Sequence, residues 1–253
     1  MKTPKCLLSC LTALSLAQTA SASTVIAVPG AVGDSSNVFP FGGAGPGASL
    51  RYQQVYGASA FSAIDQGGLI TALGFNLTSP QDIGGILPDV QIDFSTTPRP
   101  VDGLSTTFAA NVGADDTIVH ARGQLEIQPH TPGAPPGFGV LVILDTPFLY
   151  NPAAGNLLMD VRRYDLGSGG SAPGLFNAAN DLGDSVSRVS AFNVADASGL
   201  ADTFGLVTGF VVTPVPEPGS GVLSFFGVAT LGIFLRWRQR KLGNRRKVRA
   251  TTN

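Results

Sequence analysis

From residue 69 to residue 213, apolar side chains come in short runs: 69–77, 90–94, 117–127, 139–144, 157–161, 186–194 and 204–213. The clearest run alternates strictly, with Val90, Ile92 and Phe94 apolar and Gln91 and Asp93 between them. A period of two sends successive side chains to opposite faces, so this segment predicts a half-buried strand. Glycine, proline, asparagine and aspartate fill the gaps, and two turn-rich loops stand at 129–139 and 167–171. Many short strands with turn punctuation and no helical period predict an all-β chain. The expected fold is an antiparallel β-sandwich, jelly-roll-like, over residues 50–213. Residues 23–49 differ in character, with glycine and proline concentrated at 39–47, and read as a leader or a short edge strand. No repeat of 20 to 50 residues is visible, which argues against a solenoid or propeller.

The two ends break this pattern. Lys2 and Lys5 precede an apolar stretch at 6–17, and Ala20 and Ala22 then supply the small-x-small pattern of a signal peptidase site. Residues 1–22 are expected to be a signal peptide, cut between Ala22 and Ser23. A lipobox-like reading of residues 7–10 leaves almost no apolar region before Cys10, so lipidation is disfavoured. Cys6 and Cys10 are the only cysteines, and the processed chain therefore has none. At the other end, residues 219–235 are uncharged and would span about 26 Å as a helix, near the lower limit for crossing a bilayer. Arg236, Arg238, Arg240 and Lys241 follow, with Trp237 among them. This order predicts a single transmembrane helix whose basic flank stays cytoplasmic and whose larger domain lies outside.

Charge sharpens the division. The formal net charge is −1, yet residues 23–217 hold six basic against seventeen acidic residues, a net charge of −11. An acidic domain repels phosphate backbones, so nucleic acid is not an expected partner. Charged residues make up 13% of the chain, about half the roughly 25% usual in soluble domains, and there are 32 glycines and 18 prolines. Such a composition favours turns and short strands.

Between the domain and the apolar run stands Val215, Pro216, Glu217, Pro218, Gly219 and Ser220. Prolines at 216 and 218 remove two backbone donors and push their neighbours to extended conformations, which suits presentation to an enzyme that reads a short peptide. This V-P-E-P element, the apolar run and the arginine-rich cluster together resemble the sorting signal of the PEP-CTERM proteins of Gram-negative bacteria. The resemblance covers about the last 40 residues. It implies recognition of Pro216, Glu217 and Pro218 by an exosortase, removal of the helix and tail, and delivery to the cell surface or to extracellular polysaccharide. Residues 51–56, 104–113, 147–150 and 155–161 resemble an ectodomain that recurs among such proteins, for which the resemblance implies no activity.

Candidate chemistry is sparse. His120 and His130 are the only histidines, and no G-x-S-x-G elbow accompanies them, so serine-type hydrolysis is not expected. With no cysteine after processing, a zinc site is not expected either. Residues 43–48 match G-x-G-x-x-A formally, but Pro46 interrupts the turn and no βαβ unit surrounds it, so no cofactor is expected. Asp115, Asp116, Asp181 and Asp184 are candidates for structural calcium without matching an EF-hand loop. The leading expectation is an exported surface or matrix protein without catalytic activity. One alternative is a carbohydrate-binding module, for which Tyr52, Tyr56, Tyr150, Tyr164 and Phe138 are the stacking candidates. Another is a hydrolase working through paired carboxylates.

Overall fold

A computed structural model describes residues 22–30, 33–42, 49–78, 85–127, 138–165 and 174–215. Its strands are β1 (Thr24–Val28), β2 (Ser35–Asn37), β3 (Leu50–Tyr56), β4 (Gly68–Phe75), β5 (Gly85–Thr97), β6 (Thr117–Ile127), β7 (Val140–Tyr150), β8 (Asn156–Asp165), β9 (Phe176–Ala179), β10 (Val186–Ala191), β11 (Leu200–Asp202), β12 (Gly205–Leu206) and β13 (Thr208–Pro214). They form a four-stranded sheet, β1-β13-β4-β7, and a six-stranded sheet, β11-β10-β3-β8-β5-β6. A three-stranded sheet, β12-β9-β2, is also present. Every pairing among the named strands is antiparallel. The all-β, sandwich-like expectation holds, while this strand order gives no confirmation of a jelly roll.

The period-two pattern decides which residues enter the core. Val90, Ile92 and Phe94 of β5 are fully buried in the main apolar cluster, together with Tyr56, Phe61, Tyr150 and Phe210. Phe210 of β13 lies 4.8 Å from Tyr56, 5.2 Å from Phe61 and 6.4 Å from Phe94, so one ring ties both large sheets together. Burying a phenylalanine contributes about 1.5–3 kcal/mol, and the edge-to-face contact with Tyr56 adds to it.

The six-stranded sheet is covered on its other face too. Leu104 and Phe108 pack on Val55, Leu158, Val189 and Ala191 in a second cluster, with Val101 and Val112 against it. This layer explains why β3 shows no apolar–polar alternation in its burial: every residue from Tyr52 to Tyr56 is buried.

Part of the expected leader is built into the sandwich. β1 pairs with β13 from Thr24↔Val212 to Val28↔Thr208, and β2 pairs with β9. The expected span at 219–235 lies outside the described residues, and among the described residues no helix is long and apolar enough to cross a membrane.

Candidate functional site

Two places on the sandwich carry features with functional meaning: a charged layer on the six-stranded sheet, and the end of the four-stranded sheet where the chain enters and leaves.

The charged layer is centred on β8. Asp160 faces Asp93 of β5 and Gln53 of β3 directly across the sheet. Its Oδ2 accepts from Arg51 Nη2 at 2.8 Å, Gln53 Nε2 at 2.8 Å and Arg162 Nη2 at 3.0 Å. Arg162 reaches on through Nη1 to Asp93, whose two oxygens also accept from Gln91 Nε2 at 2.9 and 3.1 Å. Gln53 Oε1 in turn accepts from Asn111 Nδ2 at 2.9 Å, and the Arg51 guanidinium lies 4.6 Å from the centre of the Phe108 ring. Both carboxylates are buried, with side chains 1% and 2% exposed.

Here are two facing carboxylates, the arrangement that a glycosidase needs, but a guanidinium bridges them. Cross-strand neighbours lie about 5 Å apart at Cβ, close to the spacing in retaining glycosidases. Burial pushes the Asp93 carboxyl up, against the pull of Gln91 and Arg162. Asp116 is also raised, by partial burial and by Asp93 nearby. Three donors on one oxygen and two arginines shared between two acids describe a closed ionic network. Sequence reasoning missed these residues because a contiguous reading does not reveal which strands are neighbours.

His120 stands on β6 with Nδ1 3.2 Å from Asp145 Oδ2 of β7, and that oxygen also accepts from Ala121 N at 2.9 Å. His130 lies outside the described residues.

Two of the calcium candidates, Asp115 and Asp184, accept from backbone N–H groups. Asp115 Oδ1 caps Thr96 N at 2.7 Å. Asp184 accepts from Asp181 N and Val186 N, each at 3.0 Å, and Asp102 accepts from Gly183 N at 2.9 Å. Burial raises the Asp184 carboxyl. Among the described residues no three acidic, histidine or cysteine side chains gather to hold a metal.

The stacking candidates need correction. Tyr52, Tyr56 and Tyr150 are fully buried in the core. Tyr164 lies under the Arg122 guanidinium, 3.6 Å from its ring centre. Phe138 lies over Gly74 and Gly209, where an added Cβ would come within 3.0 and 2.6 Å of it. Among the described residues the exposed aromatic is one the sequence did not single out, Phe192, 66% exposed and edge-on to Phe39 at 5.5 Å.

The second place joins the two ends of the domain. Ala22 and Ser23 are exposed immediately before β1, and Ala20 lies outside the described residues. Ser23 Oγ is 3.0 Å from Thr213 Oγ1, near the end of β13. Two residues later Val215 is 41% exposed, its N–H bonded to Gly67 O at 3.0 Å. Antiparallel pairing of β1 with β13 brings the start of one strand to the end of the other. Pro216, Glu217, Pro218, Arg236, Arg238, Arg240 and Lys241 lie outside the described residues.

Residues 214–241 match the family model of the PEP-CTERM protein-sorting motif. No curated protein and no solved structure matches the chain. The motif marks an exported protein sorted to the cell envelope, with an exosortase as the processing partner.

Proposed function

We propose that this chain is a non-catalytic component of the cell surface or the extracellular polysaccharide matrix, held briefly at the inner membrane by residues 219–235 and then processed by an exosortase at Pro216, Glu217 and Pro218. In this reading signal peptidase cuts between Ala22 and Ser23, the acidic domain stays outside, and Arg236, Arg238, Arg240 and Lys241 hold the tail in the cytoplasm.

The observation that carries the reading is the meeting of Ser23 and Thr213. Two processing enzymes of the same membrane would act at one end of one sheet. The last ladder residue is Pro214, and Val215 is exposed, so the sandwich can be complete while the motif beside it is read. The non-catalytic part draws support from the Arg162 bridge between Asp93 and Asp160, which occupies the carboxylates a hydrolase would need free.

The test is the intact mass and membrane fractionation of the native protein in its own host, beside a variant carrying Pro216→Ala, Glu217→Ala and Pro218→Ala. The reading expects the wild type to lose its C-terminal residues and the variant to keep them in the inner membrane. Identical mass and location in both would overturn it.

A further inference from the structure

The outer face of the four-stranded sheet differs from the rest of the molecule. β1, β4, β7 and β13 contain one charged residue between them, Asp145, in a domain of net charge −11. Asp145 sits at the edge strand and turns towards His120 of the other sheet.

Cross-strand register arranges the outward residues in rows. Val25, Val211 and Ile143 stand in one, with the buried Ala72 between Val211 and Ile143, and Thr213, Leu69 and Leu149 form another at the end where the chain leaves. A third runs through Ala27, Gly209, Gly74 and Leu141, with Phe138 lying over its two glycines. Ile143 is 70% exposed and Leu149 63%. The outward face of the six-stranded sheet carries instead the Arg51, Asp93, Asp160 and Arg162 network.

We infer that this apolar, charge-poor face is a contact surface for the lipid bilayer, laid against the membrane while the chain is still tethered. The inference rests on the anchoring proposed above. Its occupant follows from where the chain goes: Val215 leaves beside the Thr213, Leu69 and Leu149 row, and the apolar run starts at Gly219. Four residues reach at most about 14 Å, so the tether holds this row close to the headgroups. An acidic domain is repelled by an anionic lipid surface, and the sheet whose four strands carry Asp145 as their one charged residue approaches at low electrostatic cost. Exposed leucine, isoleucine and valine then gain by leaving water, at about 25 cal/mol per Å² buried. Contact depends on the C-terminal segment, which keeps the acidic domain at the lipid surface against charge repulsion. Cleavage at the motif therefore releases the face as well as the chain.

Single cysteines test this cleanly, since the processed chain has none. Chains that retain the C-terminal segment, carrying Ile143→Cys, Leu149→Cys or the control Leu200→Cys, are labelled with an environment-sensitive fluorophore. They are then reconstituted in vesicles of phosphatidylethanolamine and phosphatidylglycerol containing a lipid-borne quencher. Leu200 is 78% exposed on β11, at the edge of the other sheet. The expected result is blue-shifted, quenched emission at 143 and 149, none at 200, and loss of both effects when the C-terminal segment is cut off. Chains that float with the vesicles but show equal, water-like emission at all three positions would overturn the inference and leave the anchor standing. Chains that fail to float would overturn both. Copy-to-copy disulfides at 143 without lipid quenching would assign the face to a second copy of this chain instead. Because both positions are exposed, Ile143→Glu with Leu149→Glu should leave the melting temperature unchanged while abolishing quenching of a label at Leu69→Cys.

Discussion

Ser23 and Thr213, 190 positions apart in sequence, meet hydroxyl to hydroxyl at 3.0 Å, so the residue before β1 touches the strand that leads into the sorting motif. The ladder behind this contact supplies the strength, because an exposed hydroxyl pair adds little. Ser23→Ala should therefore change stability by less than about 0.5 kcal/mol. Ile26→Ala, which empties a core position on the same edge strand, should cost about 2–5 kcal/mol in urea denaturation of the processed protein. Equal effects from the two substitutions would show that β1 is not held as described.

Gly209 and Gly74 lack side chains because Phe138 occupies the space above them. An added Cβ at Gly209 would stand 2.6 Å from the Phe138 ring. Gly209→Ala should cost about 1–3 kcal/mol by overpacking. Much of that cost should vanish when Phe138→Ala is present, a coupling that a double-mutant cycle measures.

Asp160 accepts three donors on one oxygen while 2% exposed. Asp160→Ala strands Arg51 and Arg162 partly buried with one carboxylate fewer, and should cost about 3–5 kcal/mol in the same urea experiment. Asp89, half-buried and bonded to the exposed Arg122, is the contrasting case: Asp89→Ala should be close to neutral.

Burial raises the Asp93 carboxyl above the ordinary 3.8, so the folded chain holds this proton over a pH window where the unfolded chain has released it. Stability attributable to Asp93 therefore falls as pH rises through that window. Melting temperatures followed upward from pH 4 should show this decline in the wild type and a shallower one in Asp93→Asn, whatever the variant's absolute stability. Parallel curves would mean that Arg162 and Gln91 outweigh burial.

The strands that could be read in the sequence are those where apolar residues run together or alternate. Residues 117–127 became β6 with those bounds, and 90–94 lies at the heart of β5. β3 escaped because it is buried on both faces, with Gln53 and Gln54 satisfied by Asn111 and Leu206, so its pattern has no period. β1 escaped because it is five residues long and the glycine and proline further on, at 39–47, set the reading of the whole segment. The charged layer was illegible for another reason: Arg51, Asp93 and Asp160 lie far apart in the chain, and only the order β3-β8-β5 makes them neighbours. The sorting motif was fully legible, since its meaning lies in contiguous residues that an enzyme reads as an extended peptide.

β13 has a hydrogen-bonded neighbour on each side, β1 on one and β4 on the other. Any tension applied through the C-terminal end, whether from a lipid tether or from a polymer joined there, runs along β13. It loads both ladders in shear, so their hydrogen bonds must yield together. A terminus on an edge strand would instead let one ladder peel open bond by bond. The chain thus leaves the domain through a strand well placed to bear mechanical load.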